Sequence, residues 1–200
     1  MIVHAAAAAA YNYRAHNSVP TMSRARDYGL IRWAPPQEGS VKLNFDGSVD
    51  GSNMAAARFV IRDHSGFPIV AGSRKIGFSS VPVAECSALK DGLLQALHSN
   101  LSKISVEGDS KLVIDCIKKI HAPPWRLRPL IRDIQIISSF FEDISFSHVP
   151  REANFVADPV TSLGHQAFEP TIWRNKLPLS ASSAFSLDQL GCGVSRGFQL

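Results

Sequence analysis

Four acidic residues stand at or near the ends of predicted strands and the starts of predicted helices: Asp46, Glu85, Asp109 and Asp158. Such positions beside a sheet are where α/β proteins gather ligand-binding groups. Carboxylates brought together repel one another, and divalent cations that prefer oxygen ligands, such as magnesium or manganese, remove that penalty. Two such ions about 4 Å apart can activate water and stabilise the leaving oxygen of a phosphodiester. The pattern therefore indicates metal-assisted phosphodiester chemistry.

Each acid also has a simpler interpretation. Asp46 precedes Gly47, which is ordinary turn chemistry, and Glu85 near a helix start gains from the helix dipole. Asp109 is a good helix N-cap, and Asp158 fits a solvated helix position. The joint placement of the four favours a functional site. A structural α/β domain, in which the acids are only caps and turns, stays open as an alternative.

Hydrophobic periodicity predicts the elements that position these acids. Alternation of apolar and polar residues predicts strands at 41–46, 104–108 and 144–148. Two further strands, at 59–62 and at 67–71 or beyond, are predicted to form a hairpin around the turn residues 63–66. Apolar stripes predict helices at 83–97, from Asp109 to about Ile120, at 128–140 and at 153–164. Three strands come first, and helices and strands then alternate. This order predicts an α/β fold with a mixed sheet covered by helices.

Composition divides the chain into three zones. Residues 1–37 are alanine-rich, contain no acid before Asp27 and end in Pro35-Pro36, so a poorly ordered leader is expected, with an organelle transit peptide as the less favoured reading. Residues 38–165 carry nearly all the periodicity and are predicted to be the folded domain. Residues 166–200 are rich in Ser, Leu and Gly, which predicts a loosely ordered tail.

Bulk properties exclude several classes of protein. A hydrophobic share of 45% and a charged share of 19% permit a sizeable core and argue against global disorder. A net charge of +4 is compatible with a polyanionic partner without identifying one. No apolar run approaches the ~18–20 residues that span a bilayer, so no membrane association is expected. Three scattered cysteines without a C-x-x-C pair indicate a reducing, intracellular setting. Because a transit peptide is the less favoured interpretation of residues 1–37, the nucleus or cytoplasm is expected rather than an organelle.

Five motifs containing these acids together carry a resemblance. They are Lys42-Leu43-Asn44-Phe45-Asp46-Gly47-Ser48, Val60-Ile61-Arg62-Asp63 with Gly66, Ala84-Glu85-Cys86-Ser87-Ala88-Leu89, Glu107-Gly108-Asp109-Ser110, and His148-Val149-Pro150-Arg151-Glu152-Ala153-Asn154 leading to Ala157-Asp158. In this order and spacing they resemble the ribonuclease H type 1 family, and in particular its plant reverse-transcriptase-like branch. The likeness covers about Trp33 to His165.

The resemblance implies a ribonuclease H-like, five-stranded mixed sheet with flanking helices. It implies endonucleolytic hydrolysis of the RNA strand of RNA–DNA hybrids, dependent on two Mg²⁺ ions for which Mn²⁺ can substitute. Asp46, Glu85, Asp109 and Asp158 match the catalytic, metal-binding acids of the family. RNA would be selected through its 2′-hydroxyl, and DNA would be held through its phosphates. The candidate basic contacts to nucleic acid are Lys42, Arg58, Arg62, Lys111 and Arg151.

Three residues near the acids depart from the family pattern. Ala56 and Arg58 stand in the second strand where the family generally has glycines, so Arg58 either disturbs close approach of the substrate or points outward. Pro159 follows Asp158, and a proline inside a helix costs ~3 kcal/mol or more. If the last helix begins at Asp158, the proline is harmless. These departures keep open a second function, a catalytically impaired nucleic-acid-binding module of the same fold.

Two further departures concern substrate contacts. Bacterial relatives place a mobile histidine in a longer loop before the last helix, whereas His148 here alternates with Phe146 and is predicted to lie in the fifth strand. The short connection Pro123-Pro124-Trp125-Arg126 replaces the basic protrusion with which some relatives grip the hybrid. Weak substrate affinity is therefore predicted.

Overall fold

A computed structural model of the chain describes residues 31–154 and 169–178. Its strands in these ranges are β1 (Val41–Val49), β2 (Met54–Arg62), β3 (Pro68–Phe78), β4 (Lys103–Gly108), β5 (Asp143–His148) and β6 (Thr171–Arg174). The helices are α1 (Val81–His98), α2 (Lys111–Ile117) and α3 (Arg128–Ser138), followed after β5 by a single 3-10 turn, Arg151–Ala153.

The described strands form one mixed sheet in the order β5-β4-β1-β2-β3-β6. The first three strands make an antiparallel meander, while β4 pairs with β1 and β5 pairs with β4 in parallel. This arrangement confirms the α/β fold with a mixed sheet and flanking helices, and each of the five predicted strands is present. His148 is the last residue of β5, as predicted.

The sixth strand was not predicted, and it lies in the segment expected to be a loosely ordered tail. Residues Thr171–Arg174 pair with Ser73–Val70 of β3, so β6 covers the otherwise open edge of that strand. In Thr171-Ile172-Trp173-Arg174 the two apolar residues are adjacent, so the segment shows no apolar–polar alternation to mark it as a strand. The element exists because β3 offers unpaired backbone groups along its edge. The sheet therefore has six strands among the described residues rather than the five expected.

One face of the sheet carries the apolar core. Leu43 and Phe45 of β1 are fully buried with Ile61 of β2, because alternate strand residues point to the same face. Helix α1 packs Leu89 and Leu93 against this face, and burying each such side chain contributes about 2 kcal/mol. The opposite face of β1 holds polar residues instead, and these lead to the candidate site.

Several element boundaries differ from the sequence expectations. β2 begins at Met54 rather than Phe59, because the alanine-rich start lacks an alternating pattern but pairs with β1. α2 ends at Ile117 and is followed by Lys119 in a left-handed conformation, φ 60°, so Ile120 leaves the helix and is 57% exposed. Asp109 is not the N-cap of α2, because Ser110 holds that position without a side-chain cap.

Other expectations concern residues outside the described ranges. The helix expected at 153–164 falls there except for its first two residues, of which Ala153 ends the 3-10 turn and Asn154 follows it. Among the helices of residues 31–154 and 169–178, none has the length and apolar character needed to cross a membrane.

Candidate metal centre

Two of the four acids meet because β1 and β4 are parallel neighbours. Asn44 pairs with Glu107, so Asp46 and Asp109 follow two residues later at the same edge of the sheet. Glu85 joins them from the first turns of α1, which begins over the end of β1. One carboxylate oxygen from each of the three acids lies within 4.8 Å of the others. Three of the four predicted acids are thus brought together, and Asp158 lies outside the described residues.

Gly47 allows Glu85 to approach the strand. A Cβ atom at position 47 would lie 2.3 Å from the backbone nitrogen of Glu85 and 2.5 Å from the carbonyl carbon of Ala84. These are backbone atoms that cannot move aside without shifting the helix. Glycine is therefore required at this position for a steric reason, beyond the turn chemistry that its sequence context suggests.

The electrostatics of the cluster centre on Glu85, which is only 4% exposed. Burial, and then the neighbouring charge of Asp109, raise its pKa to about 8, although Arg58, a backbone hydrogen bond from Gly47 and Arg151 act in the opposite direction. Its Oε2 is buried and has no hydrogen-bond partner among the described residues. A desolvated carboxylate oxygen without a partner is costly, and a bound cation would relieve that cost. The three hard oxygen ligands therefore fit a divalent metal ion.

Asn154 belongs to the site, although the sequence analysis assigned it no role. Its Nδ2 donates hydrogen bonds to the carbonyl oxygen of Phe45 at 2.8 Å and to Oδ1 of Asp109 at 3.3 Å. The residue is 4% exposed. It ties the segment after β5 to the end of β1 and orients the Asp109 carboxylate. The only sequence signal for this role was its place at the end of the fifth motif.

Arg58 enters the acid cluster. It lies opposite Asp46 in the β1–β2 ladder, forms an ion pair with the Asp46 carboxylate and donates from Nη1 to Oγ of Ser48 at 3.1 Å. The side chain is buried, with the residue 2% exposed. The option that Arg58 points outward is therefore wrong. Its burial also argues against the predicted contact with nucleic acid.

Lys42 and Arg62, two other predicted nucleic-acid contacts, are buried as well. Lys42 donates from Nζ to the carbonyl oxygen of Ala34 and to Oε1 of Glu107, both at 2.6 Å. The Arg62 guanidinium lies 3.5 Å from the ring centroid of Trp33. With 5% and 1% exposure, neither side chain reaches a surface where it would meet a phosphate. Their burial argues against the predicted contacts. The sequence did not indicate this burial, because cations are usually exposed and nothing local shows that Trp33 packs against them.

The remaining predicted basic contacts, Lys111 and Arg151, are exposed. A second basic surface, which no sequence signal indicated, lines a cavity of about 490 Å³ beside α2 and α3. Its lining includes three cations, Lys119, Arg128 and Arg132, and the imidazole of His121. No Asp or Glu is among its lining residues, and all four of these side chains belong to exposed residues. Positive charge therefore flanks the short connection Pro123-Pro124-Trp125-Arg126.

Comparison with known proteins identifies relatives. A family model described as reverse transcriptase-like matches residues 44–163. A protein of Arabidopsis thaliana named as a ribonuclease H is 30% identical over 200 aligned residues, which cover 94% of this chain but 31% of that protein. A ribonuclease HI of Halobacterium salinarum is 30% identical over 132 residues, 64% of this chain and 65% of that protein. The chain thus spans less than two thirds of the length of both relatives.

Solved structures give the same picture. The crystal structure of the ribonuclease H1 of the halophilic archaeon Halobacterium salinarum matches with a TM-score of 0.60 and 28% identity, over 64% of this chain and 98% of that one. A structure of LC11-RNase H1 in complex with an RNA/DNA hybrid matches with a TM-score of 0.58 and 26% identity, over 65% of this chain and all of that one (100%).

Proposed function

The chain belongs to the reverse-transcriptase-like branch of the ribonuclease H type 1 family, and from this premise we propose that it is a metal-dependent endonuclease that hydrolyses the RNA strand of RNA–DNA hybrids. The observation that carries the proposal is the convergence of Asp46, Glu85 and Asp109 to within 4.8 Å, with a buried oxygen of Glu85 that has no described partner. A relative solved with an RNA/DNA hybrid supports this choice of substrate.

The proposed metal is Mg²⁺, bound as two ions, with Mn²⁺ as a substitute. Asp46, Glu85 and Asp109 would hold the ions, and Asp158 is proposed as the fourth acid. When bound, such ions lower the pKa of water and stabilise the leaving oxygen of a phosphodiester. The chain's own residues prepare the site: Gly47 lets α1 approach β1, and Asn154 fixes one oxygen of Asp109.

Substrate contact is proposed for the exposed cations rather than for the three buried ones. Lys111 and Arg151 lie on elements that begin beside the acids. The basic cavity lies towards the other end of α2, about 10 Å along a seven-residue helix. Phosphates of a bound duplex would neutralise these charges, and the binding would then weaken as salt is added.

A second function, nucleic-acid binding without turnover, is favoured by one specific observation. The guanidinium of Arg58 already pairs with Asp46, one of the acids proposed to hold metal. If this pair excludes metal completely, the domain would bind nucleic acid through its surface cations and cleave nothing.

Cleavage of a labelled hybrid separates these functions. The full chain is incubated with a 5′-labelled RNA–DNA hybrid in Mg²⁺, Mn²⁺ or EDTA, beside duplex DNA and duplex RNA of the same sequence. We expect RNA-strand cleavage of the hybrid only, abolished by EDTA and by Asp109→Asn. Asp143→Asn is the matched control, because Asp143 is an exposed acid at the opposite end of β5. Binding without cleavage in either metal would refute the enzyme and support the second function.

A further inference from the structure

Arg58 places a fixed positive charge inside the candidate metal centre. Its partner across the β1–β2 ladder is Asp46, and the two side chains form an ion pair. The residue is 2% exposed, and its Nη1 also donates to Oγ of Ser48. An arginine cannot lose its proton in a protein, so this charge is present at every working pH.

The acid cluster needs such a charge when no metal is bound. Three carboxyl groups whose oxygens lie within 4.8 Å of one another are costly to ionise together where water is largely excluded, because like charges would then repel. A buried acid without a partner is among the most costly features in a protein interior, and a partner of opposite sign offsets that cost. Arg58 provides this partner from within the fold.

We propose that Arg58 is a resident counterion of the acid cluster, and that a divalent ion must compete with its guanidinium for Asp46 in order to bind. The inference rests on the proposed metal site and adds to it a built-in limit on metal affinity. The ion would meet one of its three carboxylates already engaged and a like charge beside it. The metal-free protein would in turn stay folded without the ion.

Arg62 provides a matched comparison on the same strand. It is also a buried arginine of β2, four residues further on and therefore on the same face. Its guanidinium packs on Trp33 and donates to Oδ1 of Asn44 at 3.1 Å, rather than joining the three-acid cluster. Neutralising Arg62 changes the net charge of the protein by the same amount as neutralising Arg58. It leaves the ion pair between Asp46 and Arg58 in place.

The test measures Mn²⁺ binding by calorimetry on the full chain at fixed ionic strength, without nucleic acid. Arg58→Met and Arg58→Gln, which remove the charge, are expected to bind Mn²⁺ at least about tenfold more tightly than the unaltered protein. Arg58→Lys keeps the charge and should bind as weakly as the unaltered protein. Arg62→Met should leave the affinity unchanged. Equal or weaker binding by both neutral Arg58 variants, or equal tightening by Arg62→Met, overturns the inference.

Thermal melting in EDTA and in Mn²⁺ guards against loss of folding. The neutral Arg58 variants are expected to melt lower than the unaltered protein in EDTA and to gain more from Mn²⁺, since the ion replaces the missing counterion. Failure of both to fold even in saturating Mn²⁺ overturns the inference, because a metal-filled cluster should need no guanidinium. Hybrid cleavage is scored separately. Cleavage by the unaltered chain with unchanged Mn²⁺ affinity in the variants refutes only the counterion, and tightened affinity without any cleavage refutes only the nuclease.

Discussion

Two buried polar clusters occupy the same face of the β1–β2 ladder, and they differ in whether cations or acids are the more numerous. Near the start of β1, the cation of Lys42 bonds Glu107 and the guanidinium of Arg62 packs on Trp33. Near its end, the cation of Arg58 pairs with Asp46, one of the three acids, and Glu85 keeps a buried oxygen without a described partner. We call these the Trp33 cluster and the acid cluster.

The comparison shows how charged residues that are buried for stability can be distinguished from those that are buried for function. In the Trp33 cluster both cations have partners within the fold, namely an aromatic ring, an amide and an acid. In the acid cluster negative charge is in excess, and the folded protein keeps a cost that a ligand would relieve. We therefore expect changes to the first cluster to act on stability, and changes to the second to act on metal binding and turnover.

The largest expected effect is on the free energy of unfolding after Trp33→Ala. Removing this ring leaves a cavity over two buried cations, and replacing a buried Trp by Ala costs about 3–5 kcal/mol. Urea unfolding measures the loss. Trp125→Ala is the control, because Trp125 is 71% exposed and its removal should change stability by less than about 0.5 kcal/mol. A variant that keeps full stability but loses Mn²⁺ affinity would reverse the roles given to the two clusters.

The next effect is the pH dependence of stability that Glu85 confers on the metal-free protein. Its pKa rises from 4.5 to about 8 on folding, so between these values the folded state holds a proton that the unfolded state has released. Stability is therefore unaffected by Glu85 below pH 4.5 and falls as the pH rises towards 8. At about 1.36 kcal/mol per pKa unit the upper bound of this loss of stability is about 5 kcal/mol, and relaxation of the site makes the expected loss smaller.

Urea unfolding in EDTA from pH 5 to 8 measures this slope. Glu85→Gln, which has no proton to lose, should flatten it. Saturating Mn²⁺ should also flatten it, because the ion favours the charged carboxylate. A slope that survives Glu85→Gln would show that another group carries the pH dependence, and the acid cluster would then be less strained than its geometry indicates.

A smaller effect is expected when the amide of Asn154 is removed. Asn154→Ala loses the hydrogen bonds to the Phe45 carbonyl and to Asp109, so Asp109 keeps its charge but loses its orientation. Loss of a group that orients a metal ligand typically costs about 10–100-fold in metal affinity or activity. We expect weaker Mn²⁺ binding and a lower kcat for the hybrid at unchanged KM.

Gln95→Ala is the control for the Asn154 variant, because its amide accepts a hydrogen bond from Arg174, a residue of β6. It should leave Mn²⁺ affinity and cleavage unchanged. If Asn154→Ala lowers stability while metal affinity and kcat stay intact, Asn154 would be a structural tether of the segment after β5 and nothing more.

The sheet and the identity of the acids could be predicted from the sequence, because both depend on short-range patterns. Alternation revealed β1, and the ordered motifs singled out Asp46, Glu85 and Asp109. The role of Arg58 could not be predicted in the same way. Its place opposite Asp46 depends on the register of a hairpin, and a shift of one residue would have turned it to the other face.

Contacts between distant segments explain the other differences between the structure and the sequence-based expectations. Lys42 and Arg62 were expected at the surface, and they are buried because Trp33, which precedes the first strand, packs against both. Strand β6 exists only through its pairing with β3. The placement of Asp158 and Pro159 lies outside the described residues, so the fourth acid and the fit of its helix stay predictions.

The smallest expected effect concerns hybrid affinity and tests whether the basic cavity, rather than the buried cations, meets the substrate. Lys119→Glu and Arg128→Glu each reverse an exposed charge that lines the cavity. Each should weaken binding of the hybrid a few-fold and lower the slope of log affinity against log salt by about one. Both quantities are measured by fluorescence anisotropy in the presence of Ca²⁺, at salt concentrations from about 50 to about 200 mM.

Lys75→Glu changes net charge by the same amount on an exposed residue of β3, two strands beyond β1 in the sheet. It should leave the salt slope unchanged. If all three variants weaken binding equally, the attraction is a property of net charge alone and the cavity has no special part in it. If only the two cavity variants weaken binding, the cations that contact the hybrid lie beside α2 and α3, while the buried cations of β1 and β2 stabilise the interior of the fold.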